Sequence, residues 1–317
     1  MDNPWRSICL SEYEEHMRSD TVMQLQTLNE MMFSQLDLYD AETAAVLGVA
    51  GGNGLEHIDI NKYSAVYAVD VNPDYLHTVE ERYASLAGTL QCLCVDLTKE
   101  IEGIFAHWKK EGFRFEALYT GYLGSFEQIN LAKKLFAEFG EGSIRLVDPC
   151  MADNGKLYAG FTPEFAKEMN SLCAEADIIV PNLTEASFLL DISYQPEYDE
   201  AYIRDLLVKL TDTGAKKAVL TGVSFEKGKL GAYAYDSVTK EYFYYANDEE
   251  PEHFHGTGDI WASTLCGALV NGKSFEEAVK IACDFVKESI RLTLAEENHN
   301  TYGVNFEQAF PFLLKSL

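Results

Sequence analysis

Short apolar runs alternate along this chain with longer segments whose apolar residues recur every three or four positions, so strands and helices are predicted in turn. Residues 11–36, rich in Glu, Met, Leu and Gln and free of Gly and Pro, predict one or two helices. AAVLGVAGGNGLEHI (44–58) reads as a strand, a glycine turn and a helical start. SAVYAVDVNPDYL (64–76) is a strand ending in Asp70 before an Asn-Pro turn signal, and LQCLCVDLT (90–98) is another strand ending in an acid. The alternation continues with FEALYTGYLG as a strand, SFEQINLAKKLFAEFG as a helix and SIRLVDP as a strand. Next come a helix near 163–175, the strand ADIIVPN, helices from Thr184 and near 200–213, and the strand KAVLTGV. GAYAYD and EYFYYAND predict a hairpin, and two helices follow over roughly 259–271 and 275–295.

Such alternation defines an α/β fold, a three-layer α/β/α sandwich around a mostly parallel sheet. The chain shows no internal repeat, low-complexity tract or Pro/Gly/Ser-rich linker. One continuous sheet is therefore expected, with FEALYTGYLG beside AAVLGVA.

Composition narrows the function. Apolar residues make up 47% of the 317, enough for a large core, and the formal charge is −26. That charge argues against nucleic acid and anionic membrane as partners, and points to a small-molecule substrate. A site for an anionic nucleotide must then build its own positive field from backbone N–H groups or a metal ion. The seven cysteines are scattered without CxxC pairs or Cys/His clusters, which argues against zinc and for a reduced, cytoplasmic setting. The opening MDNPWRSICLSEYEEHMRSD has no basic start followed by an apolar run, so no signal peptide is expected. No apolar run approaches the ~20 residues of a membrane span.

Two stretches carry chemistry. In FHGTGDIWAS (254–263) a Gly-Thr-Gly turn precedes Asp259 where a helix begins. Asp259 is either an N-cap or a base beside an anion site made by the unpaired N–H groups of the first turn. In the first third, a strand, a glycine turn, a helix and then Asp70 at the next strand end form a nucleotide-binding arrangement. AGGNG is not GxGxxG, so a dinucleotide fingerprint is absent.

Residues 1–95 resemble the start of class I S-adenosylmethionine-dependent methyltransferases, a Rossmann-like fold. The resemblance places Gly52 and Gly54 by the methionine part of the cofactor, Asp70 on its ribose and Asp96 by its adenine. Ala50 stands where that family has its first glycine, and Gly48 where an acid is frequent. The family's later strands are not recognisable, so cofactor binding is expected without methyl transfer.

From about residue 96 to 317 the chain resembles pyridoxal and pyridoxamine kinases, members of the ribokinase-like fold. The carrying stretches, in family order, are DLTKEIEGIFAHWKKEGFRFEALYTGYLGSFEQI, VDPCMADNGKLY, ADIIVPNLTEA, AVLTGV, FHGTGDIWAS and YGVNFE. The resemblance implies ATP-dependent phosphorylation of a hydroxymethyl group on pyridoxal, pyridoxamine or pyridoxine. It makes Asp259 the base and Gly256, Thr257 and Gly258 the anion hole. Asp148, Asp153, Asn182, Glu185 and Thr221 serve ATP and Mg²⁺, with Asp153 and Glu185 reaching the metal directly or through water, and Tyr122 lies by the pyridine ring. The kinase's own first segment is replaced by residues 1–95. The alternatives are an S-adenosylmethionine-dependent methyltransferase and an inactive nucleotide-binding hybrid; a homodimer is compatible with each.

Overall fold

The computed structural model describes residues 9–18, 24–38, 41–296, 299 and 303–317. The first eight residues, positions 19–23 of the predicted 11–36 helical stretch, and Tyr302 of YGVNFE lie outside the described residues. The chain divides into two compact units, Met1–Ile104 and Phe105–Leu317. Among the described residues, no helix is long and apolar enough to cross a membrane.

The first unit opens with helices α1 (Leu10–Arg18) and α2 (Gln24–Leu38). Strand β1 (Thr43–Leu47), strand β2 (Ala65–Asp70), helix α3 (Pro73–Arg82) and strand β3 (Leu90–Cys94) follow, and helix α4 (Leu97–Glu111) runs across the division. The three strands form a parallel sheet with β2 in the middle. Leu55, Val66, Ala68, Leu76 and Val79 pack beneath it with Leu36 and Tyr63. The Asn-Pro pair begins a helix instead of a free turn. Asn72 accepts the Asp74 N–H at 3.0 Å, and Pro73 supplies the preset φ of the first helical position.

The second unit contains strand β4 (Ala117–Thr120), helix α5 (Phe126–Phe139), strand β5 (Ile144–Val147) and a small hairpin of β6 (Ala152–Asp153) and β7 (Lys156–Leu157). Helix α6 (Pro163–Cys173), strand β8 (Ile178–Ile179), helices α7 (Leu183–Leu189) and α8 (Glu200–Asp212), and strand β9 (Lys217–Val223) come next. The hairpin of β10 (Lys229–Asp236) and β11 (Glu241–Asp248) leads to helices α9 (Thr257–Val270), α10 (Phe275–Leu294) and α11 (Phe306–Ser316). The sheet order is β11-β10-β9-β8-β5-β4, parallel from β9 to β4 and closed at the other edge by the antiparallel hairpin.

Side-chain alternation divides this sheet between two helical layers. Leu146, Ile178, Val219, Ala232 and Ala234 pack on Trp261, Ala262 and Leu265 of α9 and Ala278, Val279 and Ala282 of α10. Their strand neighbours Val147, Ile179, Ala218 and Tyr233 point the other way and are also buried; Tyr233 meets Arg204 and Glu200 of α8. Burial on both faces is what a parallel strand between helical layers requires. Each large apolar side chain so buried contributes roughly 1.5–3 kcal/mol.

In the first unit β1 pairs with β2, and in the second β4 pairs with β5. The positions of β1 alternate between exposed and half-buried, with Leu47 at 61% exposure.

Candidate active site

In the second unit the loops at the carboxyl ends of β5, β8 and β9 and the start of α9 surround a cleft of about 400 Å³. Asp148, Asp153, Asn182, Glu185, Thr221, Gly256, Thr257, Gly258 and Asp259 all line it. The strands place these residues together because ligands of open α/β sheets sit beyond the strand carboxyl ends.

Helix α9 begins at Thr257, with Gly256 as its N-cap at φ 77°, a left-handed value that favours glycine. No side chain caps this end. Asp259 is therefore a first-turn residue and not the cap, and it is exposed to the cleft. Thr257 turns its hydroxyl back to the Phe254 carbonyl at 3.2 Å.

Asn182 and Glu185 do form a cap. Asn182 Oδ1 accepts the Glu185 N–H at 2.9 Å, and Glu185 Oε2 accepts the Asn182 N–H at 2.8 Å. The other Glu185 oxygen takes the Met151 N–H at 3.0 Å, while Asn182 Nδ2 donates to the Ala152 carbonyl at 2.8 Å. The pair thus binds the start of α7 to the segment after β5. Asp153 is exposed and accepts from the backbone and side chain of Asn154 at 2.8 and 2.9 Å. The half-buried Thr221 sits where β9 bridges to Asn182.

The cleft is acidic. Burial, then the charges of Glu185 and Asp259, hold the Asp148 carboxyl well above the ordinary carboxylate range. Burial pushes Glu185 up to about 7 against the pull of its backbone N–H donors. Burial and the same carboxylates push the Cys150 thiol up to about 12, so it is a protonated wall of the cleft. Lys287 is the one lysine among the described lining residues, and it lies 3.7 Å from Asp248.

Tyr122 is not among the lining residues. The residue is 61% exposed, and its ring lies 5.5 Å from that of Phe161, which stacks on Phe165. Tyr119 of β4 escaped the sequence reading. It faces α9 and stands near Ser263, Asp148 and Asp259. The signal was the two-residue period of FEALYTGYLG, which puts Tyr119 on the face opposite Leu118 and Thr120.

The first unit has a cleft of its own, about 390 Å³, beyond the carboxyl ends of its strands. Gly48, Ala50, Asp70 and Asp96 line it with Tyr13 and Tyr75. Gly52 and Gly54 do not. A β-carbon on Gly52 would lie 2.7 Å from the Tyr83 ring, and one on Gly54 2.6 Å from Met32, so these glycines serve close packing. Asp70 is buried and accepts the Ala50 and Asn72 N–H groups, each at 2.9 Å.

Comparison with known proteins identifies the family. Residues 101–305 match the family described as phosphomethylpyrimidine kinase, and the chain belongs to that family. The hydroxymethylpyrimidine/phosphomethylpyrimidine kinase of Bacillus subtilis is 24% identical over 272 residues, covering 82% of this chain and 92% of the relative. A Bacteroides thetaiotaomicron protein assigned as a phosphomethylpyrimidine kinase and crystallised with pyridoxal is 31% identical with a TM-score of 0.65, covering 87% of this chain and 96% of that one. The Staphylococcus aureus pyridoxal kinase, solved with AMP-PCP and pyridoxal, shares the fold at 23% identity and a TM-score of 0.54, over 66% of this chain and 71% of that one.

Proposed function

We propose that the protein transfers the γ-phosphoryl group of ATP to the hydroxymethyl group of pyridoxal, pyridoxamine or pyridoxine. The observation that carries this reading is the position of Asp259. It stands in the first turn of α9, directly after the uncapped N–H groups of Gly256–Gly258, in a cleft shared with Asp148, Asn182, Glu185 and Thr221. Family membership and the pyridoxal held by the Bacteroides protein support it.

The substrate hydroxyl gives its proton to Asp259 while its oxygen forms a bond to the γ-phosphorus. The bond from that phosphorus to the β,γ-bridging oxygen breaks, and its electron pair leaves with ADP. The N–H groups of Gly256, Thr257 and Gly258 receive the γ-phosphate oxygens, as a helix start does for anions. The Thr221 hydroxyl serves a second phosphate, and Tyr122 offers an aromatic face to the substrate ring.

The residues also fit Mg²⁺. Mutually repelling carboxylates converge on the cleft, and a divalent ion that keeps several waters relieves that repulsion. Asp153 and Glu185 already accept backbone hydrogen bonds, so they would hold such an ion through its waters. The ion, when bound, neutralises charge on the phosphates.

The test is direct. Protein, MgATP and each B6 vitamer are incubated, and the phosphate ester is sought by ³¹P NMR, with hydroxymethylpyrimidine as a competitor. Ester formed on a vitamer supports the reading. Stabilisation by MgATP without any ester would leave an inactive nucleotide binder.

A second reading concerns residues 1–95, where a cleft lined by Asp70 and Asp96 stands beyond three parallel strands. It is S-adenosylmethionine binding without methyl transfer. Calorimetry with S-adenosylhomocysteine decides it, and no heat at millimolar ligand removes it.

A further inference from the structure

We infer that Tyr119 is a positioning residue for Asp259: phenol and carboxylate face a common gap at Gly121, and the phenol fixes the carboxylate for proton transfer. This rests on the kinase reading above. A β-carbon placed on Gly121 would lie 3.4 Å from Tyr119 Oη and 3.9 Å from Asp259 Oδ1. Gly121 is not among the residues with positive φ, so its missing side chain keeps space open and serves no unusual backbone conformation.

The surroundings define which way the phenol acts. Tyr119 is half-buried on the α9 side of β4, against the core formed by α9 and α10. The groups facing it are Asp148 and Cys150 beyond β5, and Asp259 and Ser263 on α9. None is a cation. Burial, Asp148 and Asp259 all keep the phenol protonated, and a protonated phenol beside carboxylates is a donor. Ser263 stands beside the same phenol one helical turn after Asp259. Helix α9 therefore carries both the carboxylate and a hydroxyl that flank the phenol. Tyr119 is not among the residues lining the cleft, so it acts through Asp259 and not on the substrate.

A double-mutant cycle tests this, with kcat, KM for ATP and melting temperature measured for each protein. Tyr119→Phe should lower kcat about tenfold or more, the scale of one hydrogen bond to a charged group. KM for ATP and the melting temperature should stay unchanged. In the Asp259→Asn background the same change should cost less than about twofold, because the two act as a unit. Equal losses in both backgrounds, an unchanged kcat, or a raised KM for the vitamer alone would overturn the inference. Should Tyr119→Phe fail to fold, Gly121→Val extends a branched side chain into the gap, where a β-carbon alone already touches both oxygens. It should lower kcat in the wild-type background and not in Asp259→Asn, and an unchanged kcat in the former overturns the inference. Wild-type protein that makes no phosphate ester removes the kinase reading and this inference together. Turnover by wild type that Tyr119→Phe matches removes the inference alone.

Discussion

Asn182 and Glu185 close on one another across the first turn of α7, each side chain accepting the other's backbone N–H at 2.9 and 2.8 Å. Because Glu185 also holds the Met151 N–H, the pair shapes the cleft before any nucleotide arrives. Glu185→Ala leaves two N–H groups without their acceptor and should destabilise the protein by about 1–3 kcal/mol. Asn182→Ala should cost about 1 kcal/mol, the usual loss for a cap. Urea unfolding followed by circular dichroism checks both. Unchanged midpoints with lost MgATP binding would make the pair a ligand set and nothing more.

Asp177 provides a pH signature away from the cleft. Burial would raise its pKa from 3.8, but hydrogen bonds from Arg145 and Lys216 outweigh that and bring it to about 2. Arg145 donates through its backbone N–H and guanidinium at 2.9–3.2 Å, and Lys216 lies 2.7 Å away. A depressed folded-state pKa contributes stability that is complete above the unfolded value and is lost as pH falls through the folded one. The stability gap between wild type and Asp177→Asn should therefore be constant above about pH 4 and shrink from there towards pH 2. Thermal unfolding across that range measures it, and a gap independent of pH would contradict the assignment.

Asp70 is the corresponding buried acceptor of the first unit, with one oxygen on the Ala50 N–H and the other on the Asn72 N–H. Asp70→Ala should lower stability by about 1–3 kcal/mol by leaving those donors unpaired. Hydrogen exchange at Ala50 and Asn72 should rise in the variant. Unchanged exchange there would mean that the carboxylate does not hold the turn.

Most strands and helices were legible because the apolar period switches cleanly between two and about 3.6 residues. Nine of the second unit's ten site candidates line one cleft, since strand-end residues in a parallel sheet converge on one side. What the sequence hid was local and geometric. Spacing alone left Asp259 as either cap or base, and Gly256 takes the cap's place by adopting φ 77°. AGGNG looked like a ligand turn, yet Gly52 and Gly54 are shaped by Tyr83 and Met32, which are distant in sequence. Asn72 looked like a free turn because Asn-Pro serves turns and helix starts alike.

The most direct test of the central claim is the turnover number of Asp259→Asn with MgATP and the best vitamer. Gly256, not Asp259, caps α9, so the exchange should leave the melting temperature within a degree or so of wild type. It removes the proton acceptor, and kcat should fall about 10²–10⁴-fold, the usual contribution of a general base. KM for ATP should be nearly unchanged. A folded Asp259→Asn protein that phosphorylates the vitamer at the wild-type rate would contradict the proposed chemistry.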